Sequence, residues 1–181
     1  MRHFISTLFL AGLLSLCAQA DPVVTLIPAG GSVSGSPGST VGWGVTLTVP
    51  SAENDYIVLT GSSFAFTGPS YGTYTDYLSN EFIAAGRGMP GSQTTAFDAT
   101  QDTGAGQFTI DNTAPFTNIA GDLTIHYDGY SDNTFSTQTI FDQTVTLPAT
   151  ISIVPEPVSF SLFAIALVAG LVTRRHVFRT I

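Results

Sequence analysis

The 181-residue sequence predicts an all-β body, an immunoglobulin-like antiparallel β-sandwich over residues 21–153. Three observations carry that prediction. Between its two ends the chain is rich in Thr, Gly, Ser, Phe, Val and Tyr, and low in Leu and Ala compared with helical proteins. Such side chains suit a pleated, half-buried surface. The run "VGWGVTLTV" places Val41, Trp43, Val45, Leu47 and Val49 on one face, and Gly42, Gly44, Thr46 and Thr48 on the other. That is the two-residue period of a strand. Turn signals then recur along the chain: "GSPGS" at 35–39, "TGPSYG" at 67–72, "GMPG" at 88–91 and "YSDN" at 130–133. About eight short strands punctuated in this way fit a sandwich, with a jelly roll as the nearest all-β alternative.

The elements follow in order. Val41–Val49 is the first clear strand. With no disulfide in reach, Trp43 is its main core anchor. "YIVLT" from Tyr56 and "SFAFT" from Ser63 read as two strands split by Gly61. Tyr71–Phe82 is open between a long loop, an edge strand and one helical turn, and Ala84–Gln93 reads as a loop. "TAFDA" from Thr95 and "GQFTI" from Gly106 are short strands. In "DLTIHYD" Leu123, Ile125 and Tyr127 alternate with Thr124, His126 and Asp128. "QTIFDQTVTL" from Gln138 and "TISIV" from Thr150 complete the set. No internal repeat of convincing length is present.

The ends differ from the body. Arg2, the apolar run Phe4–Leu16 and the small-x-small triplet Ala18-Gln19-Ala20 compose a secretory signal peptide over residues 1–20, cut before Asp21 by signal peptidase. A lipoprotein signal ending at Cys17 is the rival, but the residue before a lipidated cysteine should be small, and Leu16 is not. Cys17 is the only cysteine and leaves with the signal. The exported body therefore has neither a disulfide framework nor a thiolate ligand or nucleophile. At the other end Val158–Thr173 is uncharged. At 1.5 Å per residue it spans roughly 24 Å, short of the ~30 Å hydrocarbon core. Its flank decides the reading: Arg174, Arg175 and Arg179 follow directly, and basic residues beside an apolar segment stay cytoplasmic. The expectation is a single C-terminal transmembrane helix in the inner membrane, with the body outside.

Pro155-Glu156-Pro157, an apolar helix and an Arg-rich extreme C-terminus together resemble the PEP-CTERM sorting signal of Gram-negative bacteria, over residues 154–181. The resemblance implies recognition by an exosortase, a membrane-embedded, cysteine transpeptidase-like enzyme that cuts near the Pro-Glu-Pro. The body would then pass to the cell surface or extracellular matrix, commonly in association with exopolysaccharide. The same motif is sometimes labelled after ice-binding proteins that carry it. The body also loosely resembles the ectodomains of short PEP-CTERM proteins, through Gly42-Trp43-Gly44 and Tyr127-Asp128. The local chemistry suits the role. Pro155 and Pro157 disfavour helix in the residues before them, which keeps this stretch extended for an enzyme, and Glu156 is its one charge.

Charge and chemistry narrow the function of the body. Twelve acidic residues against the single base Arg87, with no lysine, give a net charge of −11. Nucleic acid and anionic lipid are poor partners for such a surface. Catalysis finds little support. His126 is the body's only histidine and alternates with core residues, which turns it to solvent, and no Gly-x-Ser-x-Gly elbow occurs. Gly86-x-Gly88-x-x-Gly91 matches a dinucleotide fingerprint, but Pro90 and the missing helical period remove its context. The pairs Glu53 with Asp55 and Asp76 with Glu81 keep a small glycan-processing enzyme as an alternative. No cofactor is expected. Calcium is a weak option at Asp128, Asp132 and Asn133, or at Asp111 and Asn112. The expected function is non-enzymatic: a structural or adhesive envelope or matrix protein. Tyr71, Tyr74, Tyr77 and Tyr130 are candidates to stack on polysaccharide, with edge packing as their ordinary role. Ice binding would need a regular flat threonine array, and "TLT" at 46–48 with "TVT" at 144–146 does not make one.

Overall fold

A computed structural model describes residues 21–50 and 55–155. The expected signal peptide with Ala18 and Ala20, Glu53, the expected sorting motif beyond Pro155, the segment expected to be a C-terminal helix and Arg174, Arg175 and Arg179 lie outside the described residues. Among the described residues there are strands and no helix: β1 (Val23–Ile27), β2 (Ser32–Gly35), β3 (Thr40–Thr48), β4 (Tyr56–Phe66), β5 (Gly72–Asp76), β6 (Ile83–Gly86), β7 (Ser92–Thr95), β8 (Gly106–Ile110), β9 (Asn118–Tyr130) and β10 (Gln138–Ile153). They form two five-stranded sheets in a sandwich. One has the order β1-β3-β8-β5, with β7 also on β3. The other has the order β2-β10-β9-β4-β6.

Alternation builds the core between the sheets. From β1 and β3 come Val24, Leu26, Val41, Trp43, Val45 and Leu47; from the facing sheet come Ile57, Leu59, Phe64, Leu123, Ile125 and Ile151. Trp43 is fully buried. Its indole Nε1 donates to the Gly31 carbonyl at 2.8 Å, and its ring stacks on Phe64 at 5.5 Å. The polar end of the anchor is thereby satisfied, as burial requires. Gly42 and Gly44 flank it for lack of space on the other face. A Cβ at Gly42 would lie 2.2 Å from the Phe97 ring, and one at Gly44 would lie 2.6 Å from the Thr95 carbonyl. The segment after β7 crosses the outside of β3 there.

Several sequence expectations change. The strands from Tyr56 and Ser63 are one strand, β4, whose register against β9 shifts between Leu59 and Gly61. That extra residue resets the parity, so Phe64 and Phe66 face inward after Ile57 and Leu59. Likewise Gln138–Ile153 is one strand, with register shifts on either side of Ile140. Tyr71–Phe82 resolves into edge strand β5 and a turn in which Asn80 and Glu81 donate to the Tyr77 carbonyl. Ala84–Gln93 is a loop only at its centre: β6 and β7 flank it, and Ala84 and Ala85 are core residues. The strand expected from Thr95 ends there and begins at Ser92 instead. Finally, the sandwich is not wholly antiparallel, because β2 runs parallel to the end of β10. A four-residue strand between two inter-sheet crossings has no hairpin to set its direction. It takes the free edge of β10, and Thr150 N–H donating to Gly31 O and Val154 N–H donating to Gly35 O extend the contact at both ends.

Candidate functional site

The predicted site residues fall into three groups. Asp21 lies exposed just before β1, and Pro155 is exposed just past β10. The other sorting and cleavage residues are outside the described residues. Of the remaining candidates Glu53 is not described, and most of the others are consumed by the fold.

Asp132 is the hub of the β9–β10 turn. Its two oxygens accept from Thr134 N and Oγ1, Ser136 N and Oγ, and Thr137 N. A carboxylate offers about four lone-pair sites, so five donors leave none for a cation. The donors, led by the Thr134 hydroxyl, hold its carboxyl well below the usual carboxylate range. Its contribution to the loop is therefore complete above the ordinary Asp pKa and fades as pH falls below it. Asp128 is committed as well. Its Oδ1 accepts the Asp142 amide at 2.8 Å, where β10 bulges and Asp142 takes φ +43°. Asp142 in turn meets His126 Nδ1 at 2.7 Å. His126 is thus on the outer face, as its alternation predicts, but it pairs with the bulge. Asp111 and Asn112 are exposed in the turn after β8. Among the described residues no three His, Asp or Glu side chains are grouped to hold a metal.

The carboxylate pair Asp76 and Glu81 also serves the fold. Asp76 accepts from the Ser62 hydroxyl and from Leu78 N (2.9 Å) and Ser79 N (3.3 Å), while Glu81 accepts from Gly104 N at 2.9 Å. The tyrosines need the largest correction. Tyr77 is 3 % exposed and stacks on Phe97 with the rings 9° apart. Burial, then the nearby Asp102 and Asp98 carboxylates, push its phenol up. Tyr74 points between the sheets, bonded to Ser62 Oγ (2.7 Å) and Ala105 O (3.1 Å); burial pushes it up strongly. Tyr71 packs against the core. Tyr130 is half-buried under Phe135, which also touches Tyr56 and Phe82. Strand alternation turns only Tyr74 inward, and among the described residues the exposed aromatics are Phe82, Phe116 and Phe141.

One feature is assembled only in three dimensions. On the outside of the β1-β3-β8-β5 sheet, register places Thr25, Thr46 and Thr94 in one row and Val23, Thr48 and Ser92 in the next. Beyond the Phe97 cover, Thr73, Thr109 and Thr40 form a third row, and Thr75 and Gln107 follow. Neighbouring hydroxyls touch: Thr46 with Thr94 and Thr48 with Ser92 at 3.0 Å, and Thr40 with Thr109 at 3.5 Å. None of these outward strand residues is ionisable, whereas the other sheet turns Asp122, Asp128 and His126 outward. Strand geometry repeats the hydroxyls at roughly 4.8 Å across strands and 6.7 Å along them. β-Branched side chains hold that spacing with few rotamers. The strand rows therefore offer ordered hydroxyls and methyls without charge, on either side of the Phe97 segment, which carries Asp98 and Asp102. Each row joins strands far apart in the chain, so no stretch of the sequence displays it.

No family model matches the chain, and no curated protein does. Among solved structures it is similar to the sixth cohesin of scaffoldin B from Acetivibrio cellulolyticus, determined in complex with a Cel5 dockerin. The identity is 15 %, the match covers 75 % of this chain and 100 % of the cohesin, and the TM-score is 0.29. A likeness that distant assigns no function.

Proposed function

We propose that this chain is an exported, non-catalytic envelope or extracellular-matrix protein whose immunoglobulin-like sandwich adheres to neutral exopolysaccharide. In this reading, signal peptidase removes residues 1–20 and a C-terminal helix holds the body outside the inner membrane. An exosortase acting at Pro155-Glu156-Pro157 then passes the body to the surface. The N- and C-terminal sequence patterns support the route. The observation that carries the binding role is the face of uncharged hydroxyl rows, set on a body of net charge −11. Ordered Thr and Ser groups meet sugar hydroxyls at little entropic cost, and the acidic remainder repels polyanions. The commitment of Asp76, Glu81, Asp128 and Asp132 to structural hydrogen bonds counts against carboxylate catalysis.

Co-sedimentation of the protein with insoluble neutral and acidic polysaccharides tests this reading. Retention on the neutral polymer should change little with salt, and Thr25→Asp with Thr94→Asp should reduce it at least tenfold. Unchanged retention in that variant, or release of reducing sugar by the wild type, overturns it. The same face also supports a second reading, in which it orders water at an ice surface. Inhibition of ice recrystallisation that is lost in the same variant, without polysaccharide retention, would select that reading.

A further inference from the structure

We propose that two copies of this chain associate through the free edge of β10, related by a two-fold axis at Val145. β10 is paired with β9 along its length, but β2 covers its other edge only at Thr150–Ile153. From Gln143 to Leu147 that edge has no strand partner among the described residues. Proteins blunt such edges with charge, proline or bulges. Here a bulge at Asp142 and Pro148 close the two ends, and between them Gln143-Thr144-Val145-Thr146-Leu147 is bare, uncharged and β-prone.

The choice of a second copy comes from the sequence of this edge. Thr144-Val145-Thr146 reads the same in both directions, so antiparallel pairing about Val145 sets each Thr144 opposite the partner's Thr146. That is the outward threonine pair the fold already uses, in Thr46 with Thr94 and in Thr124 with Thr146 itself. The row Ser63, Thr124, Thr146 would continue unbroken into the second molecule. The same register brings Phe141, 65 % exposed, level with the partner's Ala149. There the edge of β10 meets a groove of about 350 Å³ lined by Leu26, Ala29, Gly30, Gly31, Leu147 and Pro148. An exposed ring and an open apolar groove thus occupy complementary places on one self-paired edge, as a closed two-fold interface demands. With only a short ladder and one ring per copy, the interface buries roughly 1,200 Å² or less, the size of a transient contact. It would fill where chains are concentrated on a surface.

The test uses the full chain exported from a Gram-negative host, with Cys17→Ser so that each introduced thiol is the only one. Val145→Cys should yield a disulfide-linked dimer on mild oxidation, because directly opposed residues stand at disulfide distance. A mixture of Thr144→Cys and Thr146→Cys chains should cross-link to each other at least fivefold faster than either does to itself. Both of those positions face outward, so these variants keep the fold. Phe141→Asp should slow all of these reactions at least tenfold. Asn112→Cys, in an exposed turn, sets the rate of random collision. If Val145→Cys and the mixed pair cross-link no faster than Asn112→Cys, the two-fold edge is wrong. A monomer that instead captures a foreign extended segment at this edge would give that result.

Discussion

At the scale of single residues, the Gly42-Trp43-Gly44 triplet shows why a motif can be legible while its reason is not. Trp43 is readable as a core anchor from alternation alone, and it is one. The glycines look like mere small residues on the outer face. Their cause is the segment Thr95–Phe97, fifty-odd positions away and assigned from sequence to a strand that ends at Thr95 instead. At Gly42 the nearest obstruction to a Cβ is the Phe97 ring, followed by the Gly106 carbonyl at 2.5 Å; at Gly44 it is backbone. Neither glycine has a positive φ, so space alone excludes a side chain. Gly42→Ala and Gly44→Ala should each destabilise by about 1–3 kcal/mol, the usual range for overpacking. Urea unfolding of double mutants separates their causes. Combined with Phe97→Ala, Gly42→Ala should cost at least about 0.5 kcal/mol less than the sum of the single changes, whereas Gly44→Ala should stay additive. Additivity at Gly42 would mean that the ring does not lie over it.

At the scale of elements, period-two alternation made the long strands legible, and bulges hid their continuity. Gly61 looks like a break, yet the chain runs through it as β4 with one residue too many. The surplus lets Ile57 and Leu59 share a face with Phe64 and Phe66. The short strands β2, β6 and β7 have only four residues each, too few for any period to register, and tertiary pairing decides them. Deletions at Thr60 and Gly61 test the parity argument. Removing Thr60 alone makes Leu59 and Gly61 successive, as their partners Tyr127 and His126 are, and keeps Phe64 and Phe66 inward; removing Thr60 and Gly61 together turns Ser63 and Ala65 inward and puts both phenylalanines in water. Each lost aromatic core residue costs about 3–5 kcal/mol, enough together to exceed the stability of a typical domain. The double deletion should abolish cooperative unfolding and near-ultraviolet circular dichroism, while deletion of Thr60 alone and Thr60→Ala keep both. A cooperative transition in the double-deletion variant, within about 2 kcal/mol of wild type, would refute the role given to the bulge.

For the whole molecule, the sequence showed the charge of the body but not how the fold distributes it. The threonine rows draw on β1, β3, β7, β8 and β5, and no local pattern foretells a surface gathered from Thr25 to Thr109. Nor could composition show that the acidic loops are closed around their own donors. Both facts bear on how the body responds to ions. Twelve carboxylates with one arginine repel one another across the surface, and that repulsion falls with salt because the Debye length shrinks from about 30 Å at 0.01 M to about 10 Å at 0.1 M. Raising sodium chloride over that interval should therefore raise the melting temperature by a few degrees. A true calcium site would add stability by mass action beyond this screening, about 2.7 kcal/mol at a hundred times its dissociation constant. With Asp132 holding five donors and Asp128 holding the bulge, these two carboxylates supply no ligand for that extra increment. Calcium and magnesium chloride at equal ionic strength should accordingly give melting temperatures within one degree of each other. A calcium-specific rise of several degrees, reversed by chelator, would show that carboxylates outside these loops gather a cation.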